Sequence, residues 1–344
     1  NKYKEHIHIC CTSEDINNIA YSLMIKEGRD LLIYQANTLQ RTMKSMGKKY
    51  KNIAMLSHTH GQPASPTTMG KEFINFYRRL DAQIDDLSNI EIKGKFNGAT
   101  GNYSAHSVTY PKVDWPNTMR KFVNTLKLEF NSHTTQIEPH DYIADLCHKI
   151  NHINSILIGF SQDVWAYISK NYFTQKNAKG EIGSSTMPHK INPINFENAE
   201  GNLGMSNAIS HYFANKLVIS RLQRDLSDST VLRNIGLVYA YSIVAYKNIL
   251  LGLSKLDINK QKINDDLDEC WEILAEPIQM VARKYQISNS YEYLKKYTRG
   301  KKVDKGVIEK IITNLNIPEN EKSRLLDLTP RKYIGYANKL CDVK

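Results

Sequence analysis

Apolar residues recur at helical spacing along most of the chain. From Ser13 to Met46, residues Ile16, Ile19, Leu23, Leu31, Leu39, Met43 and Met46 fall near one stripe, as in an amphipathic helix. Thr12 or Ser13 can serve as its N-cap, and Glu14 and Asp15 place acids in the first turn, where they suit the helix dipole. A second helix is expected from Ser65-Pro66, with proline at the first helical position and Met69, Phe73, Phe76, Leu80, Ile84 and Leu87 inward. A third is expected from about Pro139 to Ile168 through Ile143, Leu146, Ile150, Ile153, Leu157, Phe160 and Val164. Two more follow, over Pro193 to Leu222 and Ser229 to Lys255.

The run from Ile235 to Tyr246 is apolar on nearly every side, so its helix must be enclosed by protein. Neighbouring subunits can supply that enclosure as readily as the chain itself, which favours an oligomer assembled through a helix bundle. Beyond Leu256 the pattern shortens to segments near Asp265–Lys284, Ser290–Tyr297, Lys305–Asn314, Glu319–Leu326 and Pro330–Leu340, broken by Gly300 and Pro318. The boundary therefore falls near 255, between a long-helix bundle over 1–255 and a smaller C-terminal helical domain over 256–344. Alternating strands are scarce, and the reading is all-α.

Composition narrows the class. A chain of 344 residues suits about two domains, and 41% hydrophobic with 24% charged residues excludes a disordered or collagenous chain. Lys and Arg exceed Asp and Glu by 46 to 35, and the net charge of +11 favours an anionic partner. The Ile235–Tyr246 run is too short to span a bilayer, and no signal segment opens the chain, so no membrane partner is expected. Five cysteines, an odd number without CxxC spacing, fit neither a disulfide framework nor a zinc module and indicate a reducing, cytoplasmic setting. Asn1 stands where an initiator Met would, and this abrupt opening is read as residues missing upstream.

Chemistry belongs in four loops rich in small and polar residues: Cys11–Asp15, Ser57–Pro63, Phe96–Tyr103 and Gly180–Pro193. Each abuts the end of an expected long helix, and helix N-termini offer free N–H groups to anions. In the last loop, a serine pair (Ser184, Ser185) lies close to Lys190, and a nearby cation with backbone amides is one way to make a hydroxyl act as a base. A serine-rich linker is the plain alternative. The pair His58 and His60 fits a metal-binding strand end, a proton donor or a hydrogen-bonded turn, but no strand–helix alternation follows to build a barrel. Asn97–Asn102 can cradle an anion through its amides, although no strand-turn-helix context supports a nucleotide fingerprint. Arg221, Arg224 and Arg233, interleaved with Ser227 and Ser229, suit a phosphate or carboxylate equally as well as a solvated helix end.

Taken together, these loops resemble the fumarase/aspartase superfamily. Gly183–Pro193 matches its signature loop GSSxMPxKxNP almost position for position, and Thr12–Asp15 and Thr59–Pro63 resemble its two other shared regions. Thr12–Asn18, Gln136–Tyr142 and Arg224–Arg233 resemble the bacterial-type adenylosuccinate lyase branch, and the likeness extends from about His6 to the C-terminus. The resemblance implies an N-terminal helical domain ahead of Thr12 that carries a further active-site histidine, and that domain is expected to be missing here.

The resemblance implies β-elimination of fumarate from a succinylated purine nucleotide. A base must take a proton from carbon beside a carboxylate, a cationic field must hold the resulting dianion, and an acid must protonate the departing nitrogen. By the match Ser185 is the base and His60 the acid, while Lys190, Asn192 and loop amides supply the field without metal or cofactor. Thr12, Ser13, Thr59, Gln136, Lys190 and Asn192 resemble the substrate-binding set; Arg224, Ser229 and Arg233 resemble residues holding the nucleotide, at its phosphate. The family further implies a homotetramer whose sites draw on three subunits. Argininosuccinate lyase or fumarase is the alternative within the superfamily. A basic RNA-binding helical protein is the alternative outside it, but that would need a cationic face with interleaved aromatics, and the 20 tyrosines are instead spread through the helix patterns.

Overall fold

The structure, a computed structural model, describes residues 3–176, 187, 190–298 and 303–343. Helix α1 (Ser13–Lys49) leads into a hairpin of β1 (Ala54–Thr59) and β2 (Gln62–Thr68), then α2 (Met69–Ser88). A short parallel pair, β3 (Lys93–Gly94) and β4 (Glu129–Phe130), brackets α3 (Ser104–Thr109) and α4 (Trp115–Thr125). Helix α5 (Asp141–Ser169) precedes β5 (Phe173–Gln175), and α6 (Ile194–Lys216), α7 (Ser227–Leu232) and α8 (Ile235–Lys255) follow. After β6 (Leu256–Ile258) come the shorter helices α9 (Lys260–Glu269), α10 (Ala275–Lys284), α11 (Ser290–Thr298), α12 (Lys305–Thr313) and α13 (Glu319–Leu326). The all-α class holds, with strands confined to three small two-stranded ladders among the described residues.

Contacts divide the chain into two units. Asn1–Gln40, Arg79–Trp165 and Asn192–Ser254 form the first; Arg41–Arg78, Ala166–Ile191 and Lys255–Lys344 form the second. Residues after 255 thus group with two earlier segments.

The first unit is a long-helix bundle. The α5 stripe is buried as its spacing predicts, from Ile143 to Val164. On α1 the buried set includes Ile19, Ile25, Leu32, Ala36, Leu39 and Met43, whereas Ile16 and Leu31 are exposed, so the expected stripe holds at Ile19, Leu39 and Met43 and fails at Ile16 and Leu31. Polar side chains tie the helices at depth: Asn154 of α5 donates to Ser206 of α6 (3.2 Å) and Ser242 of α8 (3.0 Å), and Tyr246 donates to the Asn154 carbonyl oxygen (2.9 Å). Asn154, Ser206, Ser242 and Tyr246 thus satisfy one another at depth, which avoids the desolvation penalty of an unmade bond.

The expected helix from Pro193 to Leu222 ends earlier. β-Branched Val218 and Ile219 follow Lys216, whose Nζ turns back to the Ile219 carbonyl (3.2 Å) and Ser227 Oγ (2.8 Å). The expected Ser229–Lys255 helix is likewise two pieces, α7 and α8. By length and composition alone Ser227–Lys255 could cross a membrane, contrary to the expectation drawn from Ile235–Tyr246. Its buried face, with Ser242 and Tyr246 bonded into the bundle, is that of a core helix.

The second unit carries the hairpin. Thr59 pairs with Gln62, leaving His60 (φ 53°) and Gly61 (φ 73°) as the turn; two left-handed residues in succession suit the twist of a two-residue hairpin. Ser65 and Pro66, expected to start a helix, lie in β2 instead, and α2 starts at Met69 with Thr68 Oγ1 accepting from Lys71 N–H (3.2 Å). Thr68 is therefore the cap. Around the hairpin, β5 pairs antiparallel with β6, and Glu321 of α13 accepts from Lys284 (2.7 Å), Tyr285 (3.1 Å) and Arg324 (2.6 Å).

Candidate active site

In the first unit, several predicted site residues converge on the N-terminus of α1. Thr12 precedes the helix, and its N–H donates to the Asp15 carboxylate (3.0 Å), the backward half of a capping box. Ser13 opens the helix and is exposed. Asp15 also accepts from the N–H groups of Asn97 (3.1 Å) and Gly98 (3.2 Å) in the glycine-rich loop. That loop can lie so close to its neighbour only because position 101 is glycine: a Cβ on Gly101 (φ 78°) would stand 2.2 Å from the Thr134 carbonyl oxygen. Beyond it, Gln136 donates through Nε2 to the Ala99 carbonyl (3.1 Å) and through its N–H to the Gln223 carbonyl (3.3 Å).

The next residue, Arg224, is fixed on two sides. Its guanidinium pairs with Glu14 (2.8 Å), the residue after Ser13, and donates to Ser229 Oγ (3.2 Å). Ser229 N–H is held by Asp228 (2.7 Å). Ser229 and exposed Arg233 line a cavity of about 260 Å³ together with Glu14, Glu138, His140 and Asp228. Hydrogen bonds and an ion pair thus link Thr12, Gln136, Arg224 and Ser229 through Asp15, the glycine-rich loop and Glu14, and Ser229 and Arg233 share a cavity with Glu14. Asn192 is half-buried just ahead of α6 in the same unit.

Electrostatics in this cluster are set by burial at Glu138 and Cys11 and by hydrogen bonds at Asp225. Glu138 accepts from Asn131 Nδ2 (2.9 Å) and His140 N–H (2.7 Å), yet desolvation pushes its carboxyl above the usual carboxylate range. Beside Arg224, the Ser227 hydroxyl and N–H hold Asp225 down to about 2. Burial pushes the Cys11 thiol up, with Asp15 adding to the shift.

In the second unit, Thr59 and His60 stand exposed at the hairpin tip. His58, the other histidine of the pair, is half-buried on β1, and desolvation lowers its pKa, with Lys170 contributing. Lys190 is exposed, its N–H bonded to the Met187 carbonyl (3.0 Å). Ser185, with Ser184, lies outside the described residues.

The sequence reading missed Lys95, whose ammonium is completely buried against Asp15 (2.8 Å). One signal for the pair was available: Asp15 stands three residues after Thr12, the spacing of a capping acid. Lys95 gave none, because its partner is 80 residues away.

Residues 1–207 match a family model described as lyase, and residues 220–334 match one described as adenylosuccinate lyase C-terminal. The chain is 55% identical to adenylosuccinate lyase of Buchnera aphidicola from Schizaphis graminum, over 99% of this chain and 75% of that protein. Identity to the Escherichia coli K12 adenylosuccinate lyase is 52%, over 98% and 74%. The fold is shared with a fumarate lyase from Mesorhizobium (TM-score 0.80, 17% identity, 97% of this chain and 77% of that one). It is shared too with a Pseudomonas putida 3-carboxy-cis,cis-muconate lactonizing enzyme (TM-score 0.78, 19% identity, 97% and 75%). With two family models spanning nearly its whole length and relatives more than half identical, this chain belongs to the adenylosuccinate lyase family.

Proposed function

We propose that the chain catalyses β-elimination of fumarate from adenylosuccinate, giving AMP, and from succinyl-aminoimidazole-carboxamide ribotide in purine nucleotide biosynthesis. The observation that carries this reading is identity above 50% to adenylosuccinate lyases along nearly the whole chain. Ser185, ionised to an alkoxide that the Lys190 cation and loop amides stabilise, takes the proton from the succinyl carbon beside the carboxylate and becomes a hydroxyl, and the electron pair passes into an aci-carboxylate dianion. Lys190 and Asn192 hold that charge, with Thr12, Ser13, Thr59 and Gln136 binding the rest of the substrate. The C–N bond then breaks as His60 delivers a proton to the departing nitrogen. Each such proton transfer contributes about 10²–10⁴-fold in rate. Arg224, Ser229 and Arg233 take the phosphate, where a guanidinium and hydroxyl make charge-assisted bonds. No cofactor enters this scheme, and the net charge of +11 suits a polyanionic substrate.

The working form is a homotetramer in the cytoplasm, with each site drawing its three shared regions from three subunits. Supporting it, exposed apolar residues recur seven apart on the long helices: Leu237, Val244 and Leu251 on α8, Met205 and Tyr212 on α6, Met24 and Leu31 on α1. Heptad-spaced apolar rows are how helices meet partner helices. In this reading 1–255 is the catalytic bundle and 256–344 a C-terminal helical domain.

A substrate panel tests the reaction. Adenylosuccinate yields equimolar fumarate and AMP while argininosuccinate and malate are left unchanged; release of fumarate from argininosuccinate alone overturns the assignment.

A further inference from the structure

The ion pair between Asp15 and Lys95 lies at the centre of the first unit's site cluster, and both side chains are completely buried. Its carboxylate is an acceptor for five donor contacts at two oxygens. Oδ1 takes Lys95 Nζ (2.8 Å), Asn97 N–H (3.1 Å) and Gly98 N–H (3.3 Å), while Oδ2 takes Thr12 N–H (3.0 Å) and Gly98 N–H (3.2 Å). The Lys95 ammonium also donates to the Gly98 carbonyl (3.1 Å), and the Lys95 backbone is clasped at N–H and C=O by Asn18 of α1 (2.8 and 3.0 Å). Every donor to this carboxylate therefore comes from the segment before α1, from Lys95 or from the glycine-rich loop that follows it.

These contacts have a direction. The glycine-rich loop presents the Ala99 carbonyl to Gln136, and Gln136 N–H reaches Gln223, the neighbour of Arg224. Thr12 is followed by Ser13 and by Glu14, which holds Arg224. One carboxylate thus sets the relative position of the segments bearing Thr12, Ser13, Gln136 and Arg224.

Stability alone is a poor reason to keep such a pair. Removing two charges from water is opposed by desolvation, and a well-packed apolar replacement is often neutral or stabilising. Burial indeed lowers the Lys95 pKa even with Asp15 bonded to it. The gain lies in geometry: a fixed carboxylate orients several backbone N–H groups at once, which preorganises the surface around it.

We propose that Asp15, clamped by Lys95, is a positioning residue that aligns the Thr12–Ser13 segment and the Gln136-bearing side of the site for substrate, without itself touching the substrate. This rests on the adenylosuccinate cleavage reading, which the wild-type substrate panel decides separately.

The test uses the full chain and two variants. Asp15→Asn keeps the shape but turns one acceptor into a donor facing N–H groups. Lys95→Met leaves the carboxylate and removes its clamp. Steady-state kinetics on adenylosuccinate are expected to show KM raised about tenfold or more in Asp15→Asn and by a smaller factor in Lys95→Met, with kcat within about threefold. Amide hydrogen exchange of the peptides covering 10–18 and 95–103 is expected to quicken together in both. Lowered thermal stability with an unchanged KM overturns the proposal, as does exchange that quickens in only one peptide. Failure of both variants to fold also overturns it, in favour of a purely structural pair. With a wild type active on adenylosuccinate, none of these results touches the reaction assignment.

Discussion

Arg224 makes its contacts to Glu14 and Ser229 with one guanidinium, a planar fork that a lysine cannot reproduce. If it holds the nucleotide as proposed, Arg224→Lys weakens substrate binding by about 1.5–3 kcal/mol, the range for hydrogen bonds to charged groups. The expected outcome is KM raised about 10- to 100-fold with kcat little changed; an unaltered KM removes Arg224 from the binding set. In the second unit, Glu321 is held down to about 2 by Lys284, then Arg324 and Tyr285. Its folded value lies below the unfolded carboxylate value of about 4.3. The stabilisation is therefore present above that pH and is lost as pH falls from there toward 2. Glu321→Gln should flatten the pH dependence of the thermal midpoint in that window and leave the neutral-pH enzyme active. Among single residues, Thr12 and the acids of the first turn were legible because a helix cap is written in four consecutive positions. Lys95 was not, since a buried lysine is specified by a distant carboxylate.

At the level of elements, α5 was read correctly because it has one apolar stripe. Helix α1 has two: Ile19, Ile25, Leu32 and Leu39 face the core, and Ile16, Met24 and Leu31 are exposed. Periodicity identifies both rows and does not rank them, which is why the inward stripe was mixed. The start of α2 was misplaced for a different reason. Proline at Pro66 is compatible with a first helical turn or with a short strand, and pairing of β2 with β1 settled it. Thr68, which supplies the cap, is a sharper test of the element: Thr68→Ala should destabilise the protein by about 1 kcal/mol. Urea unfolding checks this as a lower midpoint with the same slope; an unmoved midpoint means the cap contributes nothing. The hairpin that presents Thr59 and His60 was legible only as the strand end that the histidine pair could mark, because its second strand contains two prolines and only Thr67 and Thr68 as β-branched residues.

For the molecule as a whole, the bundle and the glycine and serine loops were legible because motif spacing and helix period agree. The division into units was not, because segments far apart in sequence fold together in each. The proposed tetramer gives two expectations. Val244→Asp, on the exposed row of α8, should split the assembly in sedimentation velocity and abolish activity; a fully active monomer contradicts shared sites. Mixing inactive Ser185→Ala and His60→Ala variants should restore part of the activity, since some mixed sites are intact, and no recovery counts against sharing.

The central claim is that one ionised serine oxygen removes the succinyl proton, and the turnover of Ser185→Ala on adenylosuccinate tests it most directly. The account predicts kcat lower by about 10²–10⁴-fold in a protein with wild-type assembly, with Ser184→Ala far less impaired. A Ser185→Ala enzyme that turns over at the wild-type rate would contradict it.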